Sequence, residues 1–168
     1  MDVFKEQNVV RLQDSRDLGK KIIFGVTAVM IAATALLFTF GTMIMMLGLM
    51  ITIGAVYLGY YLVTSLNIEY EYILTNGEVD FDKITAQRSR KRLISVKLNT
   101  AVDFGKVEEG KTIEDADTYV TATANDPELT DYYLRVKHNG YGDTVIYFTP
   151  SEDMITLMKH YFPRELRS

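Results

Sequence analysis

The chain contains no cysteine and no tryptophan, and only two histidines, His138 and His160, in 168 residues. The missing cysteines exclude disulfides, thiolate catalysis, cysteine-ligated zinc, iron–sulfur clusters and S-palmitoylation. Two histidines far apart in sequence, without companion ligands, give no basis for a metal site, and no metal or cofactor is expected. A further absence is local: from Ile22 to Ile68 there is no Asp, Glu, Lys, Arg or His. The net charge of −4 gives no support to a nucleic-acid partner. Mean hydropathy is +0.02, a bland average that conceals the partition between the uncharged stretch and its charged flanks.

The uncharged stretch sets the architecture. As one helix it would measure about 70 Å at ~1.5 Å per residue, more than twice the ~30 Å hydrocarbon core of a bilayer. Two spans fit, at Ile22–Phe40 and Met43–Leu66. The reversal falls near Phe40-Gly41-Thr42, where glycine adopts the left-handed conformation of a tight turn; Gly48 is a second candidate for it. Ala33-Thr34-Ala35 has the form of a signal-peptide cleavage site, but the apolar run continues far beyond it, so the segment reads as a retained hairpin. Arg16, Lys20 and Lys21 precede the first span, and Lys83, Arg88, Arg90, Lys91 and Arg92 follow the second. The loop between the spans is uncharged. By the positive-inside tendency both termini face the cytoplasm and the chain is a two-span protein of the cell membrane. Tyr57, Tyr60 and Tyr61 suit an interfacial belt. Gly48, Ala55 and Gly59 are candidates for close helix packing in the membrane, either within the hairpin or in a homo-oligomer. Residues 1–21 read as a charged cytoplasmic leader, frayed or folded as a short interfacial helix.

From Ile68 onward the periodicity changes to two. Ile68, Tyr70, Tyr72 and Leu74 alternate with Glu69, Glu71 and Ile73, as a half-buried strand requires. Asn76-Gly77 is a hairpin signal, and a second strand follows at Glu78–Ile84. Further strands are expected at Arg92–Leu98, Ala101–Val107 and Thr118–Ala124, with the acidic stretch Glu108–Asp117 as a loop. Tyr132–His138 and Thr144–Thr149 form another hairpin around Asn139-Gly140-Tyr141-Gly142. Met154, Ile155, Met158, Tyr161 and Phe162 share one face of a final helix. Ser151 caps it, Glu152 and Asp153 suit the positive end of its dipole, and Pro163 stops it. The soluble domain, residues 68–168, therefore reads as about seven short antiparallel strands closed into a barrel, with one helix covering its open end.

This order resembles a known family. A transmembrane hairpin, then Leu66-Asn67-Ile68-Glu69-Tyr70-Glu71-Tyr72-Ile73-Leu74-Thr75-Asn76-Gly77, then Arg88-Ser89-Arg90-Lys91-Arg92-Leu93, and an ending in Phe148-Thr149-Pro150-Ser151-Glu152, is similar to a family of small membrane proteins of Gram-positive bacteria. Those proteins in turn resemble bacterial membrane-anchored proteins with a pleckstrin-homology-like (PH-like) domain. The resemblance implies an α+β soluble domain, a PH-like antiparallel barrel with a C-terminal helix, behind a membrane hairpin. It implies no catalytic residues. Phosphoinositide-binding PH domains use the first hairpin loop, and here that loop, Thr75-Asn76-Gly77-Glu78, has no basic residue.

The basic cluster Arg88, Arg90, Lys91 and Arg92 is the main candidate site, for contact with anionic lipid headgroups at ~1 kcal/mol per cation near the surface. Its structural alternatives are a charged strand edge that blocks edge-to-edge pairing and ion pairing with the domain's own acids. The acidic residues Glu108, Glu109, Glu114, Asp115 and Asp117 lack the spacing of an EF-hand and read as a solvated loop. No Gly-x-Ser-x-Gly elbow and no phosphate-binding glycine loop occur, and no intramembrane charge marks an ion path. An enzyme is not expected. The expected function is a non-enzymatic, membrane-anchored interaction module that presents a PH-like domain at the cytoplasmic face. It would act as scaffold or regulatory subunit of a membrane complex, with the bilayer and a membrane or cytoplasmic protein as partners. The alternative is a module that responds to anionic lipid through the basic cluster.

Overall fold

The computed structural model of the chain describes residues 3–108, 113 and 115–167. It divides into two compact units, Gln13–Asn67 and the combination of Met1–Leu12 with Ile68–Ser168.

The first unit is a helical hairpin, α1 (Ser15–Thr39) and α2 (Met45–Thr64). Both are long and apolar enough to cross a membrane. Large apolar side chains point away from the helix pair: Leu37 is 79% and Met50 71% exposed. The reversal uses Gly41 at φ +73°, and the Thr42 hydroxyl donates to the Thr39 carbonyl at 2.7 Å. α1 begins earlier than the apolar run at Ile22, because charge marks where hydrocarbon ends and not where helix ends. Its first turns carry Arg16, Asp17, Lys20 and Lys21. Gly48 and Gly59 of α2 lie against α1. A Cβ at Gly59 would run into that of Ala28, and one at Gly48 into the Thr39 side chain. Between them Thr52 Oγ1 donates to the Gly48 carbonyl at 2.9 Å and reaches the Ala32 carbonyl of α1 at 3.3 Å.

The second unit holds eight strands among the described residues. The first sheet, in order, is β1 (Phe4–Val10), β2 (Ile68–Thr75), β3 (Glu78–Thr85) and β4 (Ser89–Lys97), all antiparallel. The remaining strands are β5 (Ala101–Lys106), β6 (Thr118–Ala122), β7 (Tyr132–His138) and β8 (Gly142–Phe148), ordered β5-β7-β8-β6 in a second sheet. A short helix, α3 (Glu152–Lys159), follows, with the Ser151 hydroxyl accepting from the Met154 N–H at 3.3 Å.

Three features differ from the sequence expectation. The sheets are not closed into a barrel: among the described residues no ladder joins one to the other. The strands are not all antiparallel, since β6 runs parallel to β8. And residues 4–10, read from sequence as part of a leader, form a strand paired with β2 from Phe4↔Thr75 to Val10↔Glu69. The physical reason for the last is local. The positions of β1 that point inward are Lys5, Gln7 and Val9, of which only Val9 is fully buried, so the apolar alternation that betrays a strand is missing. The chain thus leaves the first sheet after β1, forms the helical hairpin, and returns to the same sheet as β2.

The core of this unit lies between the sheets and under α3. Tyr72, Phe81 and Phe148 form a triangle of rings with centroids 5.2 to 5.6 Å apart. Met154, Met158 and Phe162 are wholly or almost wholly buried against them. Asn76 and Gly77 both have positive φ, 48° and 87°, which a two-residue type I′ hairpin demands. A bulge at Phe81/Asp82 leaves Leu93 without a partner in the ladder, since Phe81 pairs with Ile94 and Asp82 with Arg92.

Candidate functional site

That bulge shapes the basic cluster. β4 is an edge strand, and on the outer face of the sheet Arg90 and Arg92 lean over β3 and β2. Arg90 Nε donates to Asp82 Oδ2 at 2.6 Å and its Nη2 pairs with Glu71. Arg92 Nε donates to Asp82 Oδ1 at 2.9 Å and its Nη2 to Asp80 Oδ2 at 2.8 Å. Glu71 and Asp82 are buried, and both arginines are about half exposed. The cluster is therefore a two-cation, three-carboxylate network. Lys91 points to the other side of the ladder, opposite Lys83. Arg88 lies in the β3–β4 turn, its N–H bonded to the Thr85 carbonyl at 3.0 Å.

The remaining expected positions find local roles. Gly48 and Gly59 pack within the hairpin, and Ala55 is half-buried in the same helix. His138 Nδ1 accepts from the Gly140 and Tyr141 N–H groups at 3.0 and 3.2 Å, stabilising the β7–β8 turn. His160 Nδ1 lies 2.8 Å from the Thr156 carbonyl. Of the acidic loop, Glu109 and Glu114 lie outside the described residues. Asp117 Oδ2 accepts from the Asp143 N–H at 2.9 Å. Asp143 in turn holds Arg135 by two oxygens, which keeps its carboxyl below the usual range. Among the described residues no three metal-ligating side chains gather.

Sequence reasoning missed a second feature, built where β1 meets the segment that leads from β8 into α3. Gln7 donates from Nε2 to the Thr149 carbonyl at 3.0 Å and accepts at Oε1 from the Ser151 N–H at 2.8 Å. Behind it is a buried polar cluster. The Tyr72 hydroxyl donates to the Ala122 carbonyl and accepts from the Thr149 N–H. The Thr149 hydroxyl donates to Asp131 Oδ1 at 2.5 Å and accepts from the Ala124 N–H at 2.8 Å. Burial pushes the Tyr72 phenol and the Asp131 carboxyl above their ordinary ranges, the latter countered in part by the Thr149 hydroxyl. In front of it lies a groove of about 470 Å³, lined by residues 7–10 of β1, residues 128–130, Tyr132 and residues 149–152.

The ladder fixes which main-chain groups of β1 face this groove. Asn76 N–H bonds the Val3 carbonyl and Arg11 N–H the Ile68 carbonyl, so odd-numbered residues exchange hydrogen bonds with β2. By alternation the N–H and C=O of Phe4, Glu6, Asn8 and Val10 point away from it. Among the described residues those groups have no partner. Only at Leu12, whose N–H bonds the Ala124 carbonyl at 2.6 Å, is the edge taken up.

A family model described as "Bacterial PH-like domain (DUF6106)" matches residues 1–168. No curated protein and no solved structure matches the chain.

Proposed function

The chain belongs to the bacterial PH-like domain family, and from that premise we propose that it is a membrane-anchored, non-enzymatic binding module, a scaffold or regulatory subunit that works at the cytoplasmic face. One observation carries the reading: the hairpin is inserted between two paired strands of the first sheet. Residues 11–14 are all that separates β1 from α1, and residues 65–67 all that separates α2 from β2. The β unit is tethered to the bilayer through both ends of the hairpin, as a module that meets partners in or beside the membrane should be. The cytoplasmic placement is supported by Arg16, Lys20 and Lys21 before the hairpin and by an uncharged turn at residues 40–44.

The test uses the full chain in its native membrane, with a photo-crosslinking residue placed in turn at Asn8, Tyr119 and Asn139. A reproducible protein adduct from at least one face is expected, and an adduct of twice the chain's mass would identify a second copy as the partner. Failure to trap any protein from all three faces would overturn the reading. Because native cysteine is absent, Thr42→Cys and Asn139→Cys report the orientation. An impermeant thiol reagent added to intact cells should label position 42 and spare 139.

A second reading, contact with anionic lipid, is favoured by the placement of Lys91 opposite Lys83. It is weakened by the carboxylates that engage Arg90 and Arg92. An environment-sensitive dye at Ser89→Cys, in nanodiscs of neutral or anionic lipid, tests it. A salt-sensitive shift confined to anionic lipid and removed by Lys91→Glu would support lipid contact, and identical spectra would rule it out.

A further inference from the structure

We infer that the free edge of β1, with the groove beside it, takes an extended segment rich in lysine or arginine from another membrane protein, added as a fifth strand to the first sheet. The inference rests on the binding-module reading and names its site and partner class.

The edge has what strand addition needs. Glu6, Asn8 and Val10 turn main-chain donors and acceptors outward, and a peptide aligned with β1 would satisfy them in alternation. Proteins ordinarily blunt such edges with bulges, prolines, charge or very short strands. The other three edges of this unit are blunted in those ways. β4 carries Arg90, Lys91 and Arg92, β5 has a register break between Ala101 and Asp103, and β6 spans only 5 residues. β1 has 7 residues, no proline and an unbroken register, and its charged side chains, Lys5 and Glu6, are confined to its first half, with Lys5 paired to Asp153. It is also held in place, because the Gln7 side chain is tied to the chain after β8. A pre-ordered edge loses less entropy when a partner strand joins it.

Charge identifies the occupant. Among the described residues two carboxylates, Glu128 and Glu152, line the groove, both exposed, and no lysine or arginine lines it. Asp153, next to Glu152, is engaged by Lys5 at 3.5 Å. Leu129, 51% exposed, and Val10, 69% exposed, supply apolar surface in the same groove. An extended peptide that alternates cationic with β-branched residues matches this pattern. Lysine- and arginine-rich segments are common where membrane proteins emerge on the cytoplasmic side, and the groove belongs to the unit joined to both ends of the hairpin.

The experiment measures fluorescence anisotropy of a labelled peptide of about ten residues, alternating Val or Thr with Lys or Arg, against the full chain in neutral nanodiscs. Saturable binding is expected. Methylating alternate backbone amides of the peptide should weaken it roughly tenfold without touching the protein. Asn8→Pro, which removes one outward N–H at an edge position that tolerates proline, should act similarly. Glu128→Gln with Glu152→Gln should weaken binding and flatten its salt dependence. Absence of saturable binding would overturn the inference, as would binding indifferent to amide methylation, which is charge attraction without strand pairing. Photo-adducts formed in native membranes together with no peptide binding would remove strand addition while leaving the binding-module reading standing.

Discussion

The carboxamide of Gln7 stands in for a stretch of strand: it donates to the Thr149 carbonyl and accepts from the Ser151 N–H, at 3.0 and 2.8 Å. With one side chain the edge of the first sheet is joined to the segment that leads from the second sheet into α3. The join is made at a position where no ladder exists, and it orders both walls of the groove.

Gln7→Ala should therefore be costly for a half-buried polar residue. Two hydrogen bonds are lost and their main-chain partners are left unsatisfied, at about 2 kcal/mol in total. Gln7→Glu keeps the acceptor and loses the donor, so its stability should fall between those of the natural chain and Gln7→Ala. Chemical denaturation of the full chain in detergent, followed by near-ultraviolet circular dichroism of the buried tyrosines, would measure both.

The half-buried Asp131 carboxyl gives the stability a pH dependence. Its pKa is raised by burial, with the Thr149 hydroxyl opposing, so the folded state holds the proton more firmly than the unfolded state. Stability attributable to this group falls as pH rises from about 4, the ordinary aspartate value, to the raised pKa, and stays low above it. Asp131→Asn retains an acceptor for Thr149 and abolishes the ionisation. Relative to the natural chain, the variant should be most stabilised at neutral pH and nearly equal to it near pH 4, in denaturation curves taken across that range.

The hairpin should distinguish its glycines. Gly59 faces Ala28 with no room for a side chain, whereas nothing lies within 4 Å of a Cβ at Gly54. Gly59→Leu is expected to cost roughly 1–3 kcal/mol by forcing the helices apart. Gly54→Leu should leave the thermal transition in detergent unchanged.

Insertion of the hairpin between β1 and β2 dictates how the β unit can be made soluble. Replacing residues 13–67 by a short turn that joins Leu12 to Ile68 keeps β1 and should give a soluble, cooperatively unfolding domain. A fragment starting at Ile68 lacks the β1 ladder, the buried Val9 and the Gln7 bridge. It should be less stable by about 3 kcal/mol or more and prone to pair through the exposed edge of β2. Hydrogen exchange at Tyr70 and Tyr72, measured on both shortened proteins, decides the point.

The sequence by itself determined the elements whose signals are local. An unbroken run without charge, too long for one crossing, dictated two helices. Alternation at Ile68–Leu74, the Asn76-Gly77 turn and the Ser151 cap located β2, the first turn and α3, because period, turn dihedrals and capping depend on near neighbours in the chain. The likeness to PH-like membrane proteins was legible in the same segments. Tertiary structure decided what depends on residues distant in sequence. β1 is a strand because β2, on the far side of the hairpin, offers it an edge, and its own Lys5, Gln7 and Val9 carry no apolar alternation. Arg90 and Arg92 are ion-paired because a bulge and a ladder bring Glu71, Asp80 and Asp82 beneath them. The groove exists only where β1, residues 128–130 and the start of α3 converge, and no short stretch of sequence encodes that convergence.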